Sequence, residues 1–210
     1  MVKVPILLGV IDKINKGELT YHQPIIYNDS LLYAGVDILG SYKNNEQVEL
    51  SKVIMLMLTT SDNTASLWLQ SLAGTGTRIN QILDSIGYTA TRVNSRTPGR
   101  EADRDKFGWG QTSPKEMASL FEALANRSLM DSESSEKMLR LLGRNYWDEE
   151  ALSQIPPDVF VASKNGAINA SRSEAMYVHG KNARYVFCIC TKNNKDTSWE
   201  LQNEAWELAR

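Results

Sequence analysis

The order of patterns along the chain predicts an α+β fold. Helical periods fill the first three quarters, strand-like runs gather after Pro156, and strands never alternate with helices one by one. The division this suggests is a first core helix over 1–19, a mainly helical part over 20–155, and three strands with a closing helix over 156–210.

Each element has a local reason. Val4, Leu7, Leu8, Ile11 and Ile14 keep a helical period from Met1 to Lys16, with Pro5 tolerable near the first turn and Gly17 as the stop. Residues 20–48 read as loops and short turns. Leu50, Val53, Ile54, Met57 and Leu58 predict a helix that runs into Ser61-Asp62-Asn63, and Thr64 to Leu72 and Arg78 to Ile86 predict two more. Residues 89–111 read as a polar loop, whose length in a compact domain points to function or to disorder. Ser113-Pro114-Lys115-Glu116 is a capping box that opens a helix to about Asn126, and further helices follow over 132–142 and 149–154. Val159 to Lys164, Glu174 to His179 and Arg184 to Thr191 carry the β-branched and aromatic residues of strands, with links suited to an antiparallel meander. A second capping box, Thr197-Ser198-Trp199-Glu200, predicts a last helix carrying Trp199, Leu201, Ala205, Trp206 and Leu208.

Composition narrows the function classes. A net charge of −2 with no basic face gives no electrostatic footprint for nucleic acid. No apolar run reaches membrane-spanning length. Cys188 and Cys190 stand two apart in a strand pattern, so they share a face and have neither zinc nor redox spacing; they read as core thiols.

Three polar islands carry the chemistry. Lys3 stands in the opening turn of an apolar helix, where the positive end of the dipole and burial both lower an amine's pKa. That is a poor place for a stabilising lysine and a good one for a proton acceptor. Ser61-Asp62-Asn63 breaks two helices and projects a hydroxyl and a carboxamide from a corner, although the same residues also serve as plain linking and capping material. Lys164-Asn165-Gly166-Ala167 lies on a strand.

Taken together, Lys3-Val4-Pro5-Ile6-Leu7, Thr60-Ser61-Asp62-Asn63-Thr64-Ala65 and Lys164-Asn165-Gly166 resemble the serine β-lactamase and penicillin-binding protein superfamily, and most closely the class A β-lactamase-like hydrolases. The resemblance spans nearly the whole chain. It implies a β-lactamase/transpeptidase-like fold, with a helix and two strands upstream completing a five-stranded sheet. It also implies acyl transfer through a serine three residues before Lys3, hence directly before Met1, so that Met1 is expected to be an internal methionine or a boundary. Carried over by residue, Lys3 would exchange a proton with that serine, and Ser61 would relay one to the leaving nitrogen. Asn63 would bind the substrate amide and help position Lys3. Lys164 would sit beside Ser61 and favour an anionic substrate, with Asn165 and Gly166 completing its motif. Ala167 would offer an N–H to the oxyanion hole. Arg172 would meet the substrate carboxylate, about one residue early, and Tyr33 would wall the cleft.

Two departures stand out. Asn165 replaces a threonine or serine, although an amide can still donate to a carboxylate. Thr91 to Gly99 resembles the omega loop, but Thr97 occupies the place of the glutamate that activates the deacylating water. Glu101 and Asp103 are the nearest carboxylates in sequence that could substitute; Arg92 and Asp105 read as partners in salt bridges inside the loop.

The resemblance therefore predicts a serine hydrolase acting on a β-lactam or related amide, monomeric and exported or periplasmic, with no metal or organic cofactor. The alternatives are a D-alanyl-D-alanine peptidase or esterase of the same fold, which would release penicillin slowly, and a non-catalytic or truncated relative that binds cell-wall fragments.

Overall fold

The computed structural model describes residues 1–34, 37–168, 170–200 and 202–210. Its contacts gather into two compact units, Val2–Gln111 and Thr112–Arg210 with Met1. This divides the chain differently from the sequence expectation, because the helices over 114–125 and 132–142 pack on the sheet.

In the first unit, α1 (Lys3–Asn15) packs against α2 (Leu50–Thr59), α3 (Asn63–Leu72) and α4 (Thr75–Ser85). Every residue from Lys3 to Ile11 is buried, so α1 is the hub around which the other helices sit rather than an amphipathic surface helix. Gly9 lets the helices close up: a Cβ there would come within 2.8 Å of Ile79 Cγ1 and 3.1 Å of Ala73 Cβ. Gly17, at φ 72°, ends α1 in the left-handed conformation that glycine adopts without strain.

The stretch 20–48 holds more than loops. Strand β1 (Pro24–Ile26) pairs antiparallel with β2 (Gln47–Glu49), burying Ile25 against Val48 in register. Both strands are only three residues long, too short for a period to show. The 89–111 stretch is likewise partly ordered into β3 (Arg92–Val93), α5 (Glu101–Phe107) and β4 (Gly110–Gln111), with β3 and β4 paired.

In the second unit, β5 (Phe160–Ile168), β6 (Ser171–His179) and β7 (Arg184–Cys190) form an antiparallel sheet in the order β5-β6-β7, the expected meander. Helices α6 (Pro114–Ala125) and α7 (Ser132–Leu142) pack on it. Ser113 caps α6 by accepting from Glu116 N, with Pro114 at the first helical position. A separate apolar cluster joins Met176 and Val178 of β6 to Ala151, Trp206 and Ala209.

The closing helix is shorter than its capping box predicts. Only α8 (Glu204–Glu207) forms, and its cap is Asn203. The carbonyls of Thr197 and Ser198, which a helix starting there would use, instead accept from the Arg172 guanidinium. Leu201 lies outside the described residues.

Candidate active site

The first unit brings three of the expected residues together. Lys3 is the first residue of α1 and only 6% exposed. Its Nζ donates to Ser61 Oγ at 2.9 Å, to Asn63 Oδ1 at 2.8 Å, and to the Ser61 carbonyl oxygen. The corner that offers these acceptors is built by its own sequence. Ser61 takes φ 61°, the left-handed region that a serine enters at a cost, and Asp62 then caps α3 by accepting from Ala65 N at 2.7 Å. Burial is the main influence on the Lys3 amine. It pulls the pKa from 10.5 to about 8, against the upward pull of the Asp37 and Asp62 charges. At neutral pH about one Lys3 in ten is therefore uncharged, a reserve of free amine that a solvated lysine lacks.

Tyr33 joins the same corner through its backbone, with its N–H donating to Thr64 Oγ1 at 3.1 Å. Its ring is 43% exposed and stands edge-on to Trp109, with centroids 5.0 Å apart. An exposed tyrosine backed by a half-buried tryptophan can flank a bound apolar group.

The loop of the same unit is held down tightly. Thr97 is buried, its hydroxyl donates to the Ser95 carbonyl at 2.9 Å, and it sits so close to α4 that a Cβ on Gly76 would fall 1.9 Å from Thr97 Oγ1. Glu101 Oε1 accepts from Gly99 N, and Asp103 pairs with Arg100 at 2.7 Å. Arg92 pairs with Asp84 of α4, so its ion pair reaches outside the loop and not to Asp105.

In the second unit, Lys164 to Ala167 lie in sequence on β5. Lys164 is fully buried, and its Nζ donates to Asn165 Oδ1 at 3.0 Å and to the Asn165 carbonyl at 3.2 Å. Gly166 stands opposite Ser173, whose hydroxyl donates to the Gly166 carbonyl at 3.1 Å. A Cβ on Gly166 would lie 2.5 Å from the Met1 nitrogen, so only glycine leaves that approach open. Ala167 is half-buried and faces Arg172 across the ladder.

Arg172 lies on β6 of the second unit. It is 1% exposed, its guanidinium donates to the carbonyls of Ser171, Thr197 and Ser198, and it lies 4.7 Å from the Trp199 ring centroid. These contacts fasten the C-terminal segment to β6.

Two acidic residues escaped the sequence reading. Asp37 accepts from Asn63 N at 2.9 Å and Thr64 N at 2.8 Å, and no local pattern could reveal partners 26 and 27 positions away. Glu174, fully buried on β6 opposite Asn165, accepts from Ala151 N at 2.9 Å. Burial above all, with the charge of Glu150, raises its pKa from 4.5 to about 7. A charged residue directly before the apolar run Ala175 to Val178 was the available signal. Cys188 and Cys190 are free and half-buried. The hydrogen bond between the two thiols raises the pKa of Cys188, with burial adding to it, and lowers that of Cys190. Among the described residues no cluster suits a metal ion, and no helix is long and apolar enough to cross a membrane.

Comparison with known proteins places this fold. A model of the beta-lactamase enzyme family matches residues 1–207. No curated protein matches the chain. Among solved structures, PBP-A is similar with a TM-score of 0.84 and 23% identity, over 99% of this chain and 76% of that one. A PBP-A mutant solved as an acyl-enzyme complex with penicillin G gives 0.85 and 23%, with the same coverage. A beta-lactamase from Sphaerobacter thermophilus gives 0.84 at 19% identity, again over 99% and 76%. Likeness at these identities establishes the fold.

Proposed function

On the premise that this chain belongs to the beta-lactamase enzyme family and has the β-lactamase-like fold of a serine hydrolase, we propose that it transfers the acyl group of a β-lactam or related amide. The observation that carries this reading is Lys3: a buried amine of lowered pKa, held between Ser61 and Asn63. In its neutral form Lys3 takes the proton of the attacking hydroxyl, the serine that the resemblance sets directly before Met1. Ser61, hydrogen-bonded to Lys3, passes a proton to the nitrogen that leaves as the amide C–N bond breaks. Asn63 keeps the amine aligned through its side-chain oxygen, leaving its amide hydrogens for the substrate. By the resemblance, Lys164 would supply positive charge and Asn165 a donor for an anionic substrate group, and Ala167 a backbone N–H for the developing oxyanion. Exported or periplasmic placement goes with this chemistry.

A specific observation favours slow release of the acyl group. Where a deacylating glutamate would stand, Thr97 is buried and its hydroxyl already donates to Ser95. A hydroxyl so placed neither accepts a proton from water at neutral pH nor reaches for one. The enzyme then behaves as a penicillin-binding peptidase or esterase rather than as a rapid lactamase. An intact-mass time course with a penicillin, on protein expressed with its upstream codons and beside the 210-residue chain, tests both statements. A stable adduct on the longer protein supports acyl transfer with slow release. An adduct that forms and clears within seconds keeps acyl transfer and removes slow release. Absence of any adduct leaves a binding relative without the reaction.

A further inference from the structure

We propose that Asp37 is a positioning residue for the Lys3–Ser61–Asn63 centre: its carboxylate fixes the first turn of α3, and with it the Asn63 side chain that accepts from Lys3. The proposal rests on the acyl-transfer reading of that centre and adds a residue to it.

Two segments far apart in sequence exchange carboxylates here. Asp37 Oδ2 accepts from Asn63 N, from Thr64 N and, at 3.3 Å, from Thr64 Oγ1. In return Asp62 Oδ2 accepts from Leu39 N at 3.0 Å, while its other oxygen caps Ala65 N. The Thr64 hydroxyl donates to Asp37 and accepts from Tyr33 N, so it joins both residues to the helix start. Three of the amides that a helix leaves open at its N-terminus are thereby satisfied, two by Asp37 and one by Asp62.

Capping alone does not explain Asp37. Asp62 already supplies a local cap, three residues from its partner, at no cost in loop ordering. Holding a second carboxylate imported from 26 positions upstream costs conformational entropy. What the import adds is threefold. It satisfies the backbone N–H of Asn63 itself, whereas the Asp62 carboxylate takes those of Ala65 and Leu39. It adds negative charge near a buried ammonium that otherwise has only Asp62 as a charged neighbour among the described influences on it. It also ties Tyr33 to the residue next to Asn63, so the aromatic side of the site and the proton-transfer residues keep one register.

Charge and geometry can be separated by substitution. Asp37→Asn keeps an acceptor oxygen for Asn63 N and Thr64 N but loses the charge, whereas Asp37→Ala loses both. The test follows the Lys3 ammonium by NMR in the 210-residue chain with labelled lysine, assigned through Lys3→Arg. In Asp37→Asn the Lys3 midpoint moves down by about half a pH unit or more, because one of two nearby negative charges is gone. In Asp37→Ala it moves at least as far, and the Asn63 and Thr64 amides exchange with solvent about tenfold faster. An unchanged Lys3 midpoint in Asp37→Asn, or unchanged exchange of the Asn63 and Thr64 amides in Asp37→Ala, overturns the proposal. Neither readout uses penicillin. A chain that shows both and never acquires an adduct refutes acyl transfer while Asp37 keeps its hold on Lys3.

Discussion

Lys3 and Asn63, 60 positions apart, meet through one hydrogen bond of 2.8 Å that joins the start of α1 to the start of α3. Both helix N-termini carry positive partial charge, so the contact sets an ammonium where two dipoles oppose it. Carboxylates and carbonyls around it must compensate. The result is a buried amine of lowered proton affinity, useful for chemistry and expensive for stability.

The cost has a definite pH signature. The folded-state pKa of Lys3 lies below the unfolded value, so between about 8 and 10.5 the unfolded chain binds more protons and stability rises with pH. Relative to Lys3→Met, the natural chain should gain about 3 kcal/mol across that window. Urea unfolding of both proteins at a series of pH values measures it. A difference that stays constant with pH contradicts a buried, perturbed Lys3.

Glu174 gives the opposite sign in a different window. Its pKa is raised to about 7, so the folded chain binds more protons than the unfolded one between about 4.5 and 7, and stability falls as pH rises through that range. One carboxyl oxygen, Oε1, is buried and has no hydrogen-bond partner among the described residues, which a charged carboxylate tolerates badly. Glu174→Gln should therefore be more stable than the natural chain at about pH 8, by about 2 kcal/mol, with the gap closing near pH 5. Equal gaps at both pH values would show that Glu174 titrates as a solvated acid.

The closeness of α4 to the loop makes a steric prediction. Gly76→Ala places a methyl 1.9 Å from Thr97 Oγ1, and overpacking of this kind costs about 1–3 kcal/mol. Thr97→Ala in the same background removes that oxygen and should recover part of the loss. Thermal unfolding of the two single variants and the double variant checks this; additive losses would mean that the residues do not touch.

Arg172 should act as a clasp. Arg172→Ala strands the carbonyls of Thr197 and Ser198 and removes the cation beside Trp199, a loss of about 2–4 kcal/mol. Hydrogen exchange over 197–203 should quicken together with a change in tryptophan fluorescence. Unaltered exchange there would return Arg172 to the role that the resemblance first implied.

Much of this was legible in the residues, for identifiable reasons. The periods of α1, α2, α6 and α7 and the β-branched content of β5 to β7 reflect burial, which leaves a pattern. Lys3 and Ser61-Asp62-Asn63 were visible because they break such patterns. The pairing of β1 with β2 was not, since three-residue strands have no period. The capping box at Thr197 misled because Arg172, 25 positions earlier, takes the carbonyl oxygen of Thr197. Asp37 stayed hidden for the same reason: its partners are set by the fold and not by spacing.

If neutral Lys3 accepts a proton as the acyl bond forms, the pH dependence of penicillin acylation, followed by intact mass on protein carrying its upstream codons, will show it. The rate should climb with pH to a midpoint near 8, and be lost in Lys3→Met while the fold persists. A rate that is flat from about pH 6 to pH 9, or that survives Lys3→Met, would contradict it.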